Sequence, residues 1–346
     1  MSQEPHLTFD FDALGSSAGH LIIPGGSDHD ELRIPVSSIN RGSGPCVLIT
    51  AGCHGNELEG PVVAQRILEW LPVHLQRGRV IVVPVINPLA LRSFTRNTPV
   101  DGLNLNRTFP GRRDGSITER TAYAICRLLL PAADVIFDLH SFGPLWNFPP
   151  STTTIPIADA KLLSDTVRVA ESFKLPMTMV WEHPEAPGMF DVIAHNGGKI
   201  FVCPEFGGGM VNPKDLDIYE AGVRNALIHL ELIGGESEYP LYHEKRSGRL
   251  LETRRSSDEL SSPVAGIFEP RCSVLDEVEA GDVVGRIYPL GDGASAMIEI
   301  RAPNKATVYA VRSSAYVDAQ EQVVLFARDM TDHSLESLRL SVIPSA

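Results

Sequence analysis

The stretch PCVLITAGCHGNELEGPVVAQRILEWL, residues 45–71, decides how the chain is read. Its first part, PCVLITAG (45–52), is a continuous apolar run closed by glycine, the pattern of a strand buried on both faces. Its second part, ELEGPVVAQRILEWL (57–71), repeats apolar residues at spacings of three and four, which predicts a helix. A buried strand feeding an amphipathic helix is one unit of an α/β sheet, and the same rhythm recurs downstream. RVIVVPVIN (79–87) and DVIFDLH (134–140) read as buried strands, and ITERTAYAICRLLL (117–130) as a helix with Thr118 near its start. DAKLLSDTVRVAESF (159–173) is expected to be helical, KIFVCPEFGGG (199–209) extended and LDIYEAGVRNALIHLELI (216–233) helical, with a loop carrying Trp181, Glu182 and Asp191 between the first two.

Outside this region the pattern changes. The first 40 residues alternate apolar and polar (LTFDFDAL, HLIIPGG, ELRIPVSSI), which predicts short antiparallel strands. Beyond the polar run SGRLLETRRSSDELSSP (247–263) come only short strand patterns: GIFEP, DVVGRIYPL, AMIEIRAP, ATVYAV and QVVLFA. The predicted fold is α/β, with a mixed, mostly parallel sheet covered by helices on both faces. It occupies residues 1–245 with an N-terminal β-hairpin extension, and a small all-β, sandwich-like domain fills 246–346.

Composition bounds the function. Of 346 residues, 43% are hydrophobic and 21% charged, ordinary for a soluble globular enzyme. No run of about 18 apolar residues suggests a membrane span. The opening MSQEPHLTFDFDALG lacks the basic and apolar regions of a secretory signal. Five cysteines are too few and too scattered for a disulfide framework, so a reducing, cytoplasmic setting is expected. A net charge of −13 with no basic stripe argues against nucleic acid or anionic membranes as partners. Two local patterns carry no chemistry. Gly15–Gly19 formally matches G-x-S-x-G, but a strand follows it rather than a helix. The glycines at 207–209 lack the ending of a phosphate loop.

The informative polar residues interrupt the strand ends, where α/β sheets gather functional groups. His54 and Glu57 follow the first strand, His140 closes DVIFDLH and Glu205 closes KIFVCPE. Two histidines and a carboxylate suit catalytic zinc, which takes three protein ligands and keeps a fourth position open for water. His54, Glu57 and His140 are the expected ligands of one Zn²⁺ per chain. Asp138, on the same side of its strand as His140, either orients that imidazole or is a solvated strand-end carboxylate. Glu205 is left for proton transfer, or else caps the glycine turn after it. The long loop RNTPVDGLNLNRTFPGR (96–112) offers Asn106 and Arg107 to a substrate carboxylate and Arg96 to a second contact or an oxyanion.

In this order and spacing, AGCHGNELEGP (51–61), NLNRTFPG (104–111), DLHS (138–141) and PEFGGG (204–209) resemble the succinylglutamate desuccinylase/aspartoacylase family, relatives of the zinc carboxypeptidases. The resemblance spans about residues 40–235. It implies a zinc-dependent amidohydrolase acting on linear amides, with metal ligands at His54, Glu57 and His140, a carboxylate-binding pair at Asn106 and Arg107, and a general base at Glu205. It also implies a small β domain that partly roofs the entrance. DGLNLNRTFPG, EFGGG and AGVRNALIHLELI look most like the branch that deacetylates N-α-acetyl-L-2,4-diaminobutyrate in ectoine degradation, while Asn56 and Phe142-Gly143 depart from that branch. The expected partner is a small-molecule N-acyl amino acid, its side-chain ammonium facing Glu182, Asp191 or Trp181 if it is the diaminobutyrate. Homo-oligomerisation is left open. The alternatives are a metallocarboxypeptidase acting on peptides and a catalytically inactive binding protein of the same fold.

Overall fold

In the computed structural model, which describes residues 4–25, 31–181, 187–207, 211, 213–238, 248–253, 258–290, 296–313 and 315–330, the run Cys46–Ala51 is a strand buried at every position. Alternation of side chains sends it into two cores. Val47, Ile49 and Ala51 join a cluster with residues of the helices Glu59–His74, Ala160–Ser172 and Pro213–His229. Cys46 and Leu48 join a second cluster with the helices Ile117–Leu128 and Phe190–Asn196. The expected fold class is the observed one: a mixed sheet with helices on both faces and a further antiparallel sheet near the C-terminus.

The centre of the large sheet is parallel, in the order Arg79–Val83, Cys46–Ala51, Val135–Leu139, Ile200–Glu205. One flank continues antiparallel through Leu32–Asn40 into a hairpin with Gly15–Ile23. The other passes through Ser151–Thr154, Met177–Trp181 and Arg249–Thr253 to Gln322–Asp329 and Ala306–Arg312. A separate four-stranded antiparallel sheet is ordered Ile298–Arg301, Val283–Pro289, Gly266–Pro270, Tyr316–Val317. Phe268, Val284 and Ile287 from it share a core with Val308, Val324 and Phe326 of the large sheet. The expected domain boundary at 245/246 lies outside the described residues.

Several local expectations are corrected. The helix expected from 117 is capped by Ser116, whose hydroxyl and the Glu119 carboxylate form a reciprocal capping box. The helix expected over 216–233 runs Pro213–His229. The loop expected to carry Trp181 and Asp191 contains the strand Met177–Trp181 and the helix Phe190–Asn196, while Glu182 lies outside the described residues. Ser151–Thr154 gave no apolar signal because its interior is made of hydroxyl side chains, with Thr152 Oγ1 donating to the Ala170 carbonyl. No described helix is long and apolar enough to cross a membrane.

His195, in the last turn of Phe190–Asn196, is 8% exposed. Its Nδ1–H donates to the Lys199 carbonyl at 3.1 Å, and its Nε2 has no hydrogen-bond partner among the described residues. Burial lowers its pKa from 6.5 to about 4. Between those values the unfolded chain binds more protons than the folded one. Stability is therefore intact above pH 6.5 and lost as pH falls toward about 4, by an amount on the order of 3 kcal/mol. Denaturant midpoints measured across that window should slope steeply for the wild type and flatten in His195→Gln; parallel slopes would remove His195 as the cause.

Candidate metal centre and substrate cavity

Gly52, in the left-handed region at φ +64°, ends the strand Cys46–Ala51 and starts the turn that carries His54 and Glu57. The turn is tied down by its own backbone: Gly55 N–H donates to the Thr95 carbonyl at 2.9 Å, and Asn87 Nδ2 donates to the Cys53 carbonyl at 3.2 Å. Gly55 sits so close to the helix Pro88–Ser93 that a Cβ there would lie 2.0 Å from the Ala90 backbone. His140 arrives from the adjacent parallel strand, its N–H donating to the Pro204 carbonyl at 3.0 Å.

His54, Glu57 and His140 meet at one buried point, each offering a ligand atom within 4.8 Å of the others. The Nδ1 atoms of both imidazoles face the Glu57 carboxylate, at 2.8 Å from Oε1 for His54 and 2.8 Å from Oε2 for His140. Their other nitrogens are fixed from outside. His54 Nε2 is 3.1 Å from Asn104 Oδ1, and His140 Nε2 is 2.9 Å from Asp138 Oδ2. Asp138 is held in turn by the Thr50 hydroxyl at 2.6 Å, across the strand register that places Thr50 opposite it. With both Nε2 positions committed to acceptors, both Nδ1 lone pairs are directed at the carboxylate, the convergence a divalent cation requires. The donor set, two imidazoles and one carboxylate, fits zinc.

The electrostatics of the group favour charge on Glu57, a neutral His54 and a proton on His140, which a bound cation would have to displace. Burial opposes charge on Glu57, but the two imidazoles outweigh it and hold the carboxyl far below its ordinary range. Burial lowers the His54 pKa and favours the neutral imidazole that a metal needs. Burial also opposes a charged His140, yet Asp138 and Glu57 outweigh it and raise its pKa well above the ordinary value. The rim of the group is further marked by Arg96, whose Nη1 donates to Glu57 Oε1 at 3.0 Å, and by the Ser141 N–H on Oε2 at 3.2 Å.

A cavity of about 400 Å³ opens on this group. It brings together all seven residues singled out in the sequence, His54, Glu57, Arg96, Asn106, Arg107, His140 and Glu205. Glu205 is buried with its Oε2 unpaired among the described residues, and burial raises its pKa to about 8. Asn106 accepts the Phe190 N–H on its Oδ1, so its amide nitrogen is the end left for a ligand. Arg107 has no carboxylate within ion-pair distance among the described residues, and partial desolvation together with the like charge of Arg96 lowers its pKa. Asp191 lines the same cavity; burial raises its carboxyl to about 6.

Three residues of this architecture carried no signal as functional in sequence: Asn104, Thr50 and Tyr219. The Tyr219 hydroxyl lies 3.0 Å from the His140 carbonyl and 2.9 Å from the Pro204 carbonyl, clipping the two strands together beneath the site. Asn104 stands two residues before Asn106 in the same motif, and that proximity was the only available hint.

The buried His–Glu–His group at the carboxyl rim of the α/β sheet is one that could hold a metal ion. The chain belongs to the succinylglutamate desuccinylase/aspartoacylase family: residues 43–230 match the profile of the succinylglutamate desuccinylase/aspartoacylase catalytic domain. It is 34% identical over 324 residues to the N-alpha-acetyl-L-2,4-diaminobutyric acid deacetylase of Halomonas elongata, covering 92% of this chain and 94% of that one. Among solved structures, an aspartoacylase family protein of Mesorhizobium loti superposes with a TM-score of 0.87 at 54% identity, over 95% of this chain and 100% of its own. The product-bound ectoine utilization protein EutE (DoeB) of Ruegeria pomeroyi superposes with a TM-score of 0.86 at 29% identity, over 95% and 99%.

The close approach at Gly55 sets the position of both His54 and Glu57. Gly55→Ala should cost at least about 2 kcal/mol of stability, since the new methyl group meets backbone rather than a movable side chain. A urea titration showing no loss would mean that the turn has room the structure does not give it.

Proposed function

We propose that the chain is a zinc-dependent deacylase that hydrolyses the amide bond of a small N-acyl amino acid bearing a free carboxylate. The observation that carries this reading is the sharing of one cavity by the buried His–Glu–His group, a buried carboxyl whose Oε2 is unpaired and an arginine–asparagine pair with no acidic partner, both among the described residues. Zinc held by His54, Glu57 and His140 would polarise the scissile carbonyl and lower the pKa of an attacking water to about 7. Glu205 would take that water's proton and return it to the leaving nitrogen, since its carboxyl is buried in the same cavity with Oε2 unpaired among the described residues. Arg107 and the Asn106 amide hold the substrate carboxylate, an anion that relieves the strain burial and Arg96 place on the guanidinium. Arg96, hydrogen-bonded to Glu57 at the rim, stabilises charge developing on the carbonyl oxygen.

The size of the cavity favours a small substrate over a peptide. Pro144 to Trp146 close one side of it and are tied to the C-terminal strands by the Ser313 N–H on the Leu145 carbonyl at 2.8 Å and the Ser313 hydroxyl on the Pro144 carbonyl at 2.9 Å. The acetylated diaminobutyrate named for the Halomonas relative is the first compound to assay, as one member of the class.

Glu205→Gln should lower turnover by at least about a hundredfold while zinc content, measured by elemental analysis, stays at one per chain. Retained turnover would remove Glu205 from proton transfer. Arg107→Ala should raise KM more than tenfold for carboxylate-bearing substrates and far less for the matching carboxamides. Equal losses on both would reassign the arginine.

A further inference from the structure

Part of the cavity lining is aromatic. Phe142, two residues after His140, stacks on Phe148 with centroids 4.2 Å apart and planes at 10°, and on Trp181 at 5.7 Å and 25°. Trp146 meets Phe142 edge-on at 6.1 Å. Tyr309 braces the group from behind, edge-on to Phe148 at 5.9 Å and to Trp181 at 6.5 Å. Phe142, Trp146 and Trp181 line the cavity, with Leu145 and Ile155 beside them. Rings locked in this way form a wall that exists before any ligand arrives, so an apolar group packs on it without paying to order it.

Charge distinguishes this side from the rest of the cavity. A substrate ammonium desolvated here needs a carboxylate facing it. Among the described residues, the acids lining the cavity are Glu57, Asp138, Glu205 and Asp191. The first two are engaged by the imidazoles, and Glu205 is assigned to proton transfer. Asp191 accepts the Val192 N–H at 2.7 Å, feels the charge of Arg107, and is held by burial near a pKa of about 6. Asn56, between the two ligands of the turn, is neutral, and its Oδ1 has no partner among the described residues. Asp191 is therefore the described carboxylate that could face an ammonium, and among the described residues the aromatic side adds none.

We propose that the substrate carries a bulky apolar group, aromatic or branched aliphatic, seated against Phe142, Trp146 and Trp181. The inference rests on the deacylase reading and narrows its substrate class. The same surface chemistry serves an apolar amino-acid side chain or an apolar acyl group, and the assay separates the two.

The zinc-loaded wild-type protein is assayed for released amine on N-acetyl-L-phenylalanine and N-acetyl-L-leucine, on N-benzoylglycine and N-hexanoylglycine, and on N-acetyl-L-aspartate and N-α-acetyl-L-2,4-diaminobutyrate. At least one apolar set should exceed both polar substrates by about tenfold or more in kcat/KM. Preference for the first pair puts the side chain on the wall, and preference for the second puts the acyl group there. A polar substrate ahead of both apolar pairs overturns the proposal and leaves the deacylase reading standing. Hydrolysis of none of the six overturns both. Phe142→Ala, checked for a cooperative thermal transition, should reduce the apolar-to-polar ratio about tenfold; an unchanged ratio in a folded variant also overturns the proposal.

Discussion

The Glu57 carboxylate is the fixed point of this molecule. It lies 3% exposed, beneath two imidazoles, a backbone N–H and the guanidinium of Arg96, and it is ionised there despite burial. A buried negative charge is tolerated only where it is paired; Arg96 and the Ser141 N–H donate to it from the rim, and the inward imidazole nitrogens leave a place where a cation could bind beside it. That demand dictates the neighbourhood. His54 must come from the same turn, His140 from the adjacent strand, and each imidazole must be gripped on its far nitrogen so that the near one faces inward. Asn104 and Asp138 provide the grip, and Thr50 and Tyr219 hold the strands in the register that makes it possible.

Much of this was legible in the amino-acid sequence because strands buried on both faces must be nearly all apolar. Against PCVLITAG and DVIFDLH, a histidine or carboxylate at the end of the run stands out, and the four rim residues were found on that contrast. The argument fails where burial is achieved by polar side chains. Ser151–Thr154 is buried at all four positions, the Thr152 and Thr153 hydroxyls bonded to backbone carbonyls, and presents no hydrophobic pattern. Met177–Trp181 was lost for a related reason: a short strand next to an unread one has no rhythm to join. Of the two outer partners, Asp138 was visible two residues before His140, while Asn104 was not. Asn104 is a neutral amide in a loop, and its role depends on a histidine fifty positions away.

The polar and apolar halves of the cavity have separate structural origins. The metal-holding group, Glu205 and the Asn106–Arg107 pair come from the rim of the parallel strands and the loop beside it. The aromatic side is packed on the mixed flank that leads to the C-terminal strands: Phe148 shares a core with Met177, Leu251, Tyr309 and Leu325. Reaction chemistry is thus placed by rigid parallel strands, while the shape of the remaining space is set by strands that continue into the C-terminal part of the chain.

The short strand Trp146–Asn147 gives that arrangement a further meaning. It pairs with Ala306–Arg312, so a residue facing the cavity hangs from a strand more than 150 positions downstream. The C-terminal strands are therefore not an interchangeable module bolted onto a catalytic unit. A chimera that exchanged them with those of a relative would keep His54, Glu57, His140 and Glu205 yet inherit a different cavity wall. Selectivity in this architecture travels with the joint between the two parts, and drift in either partner of that pairing retunes the other.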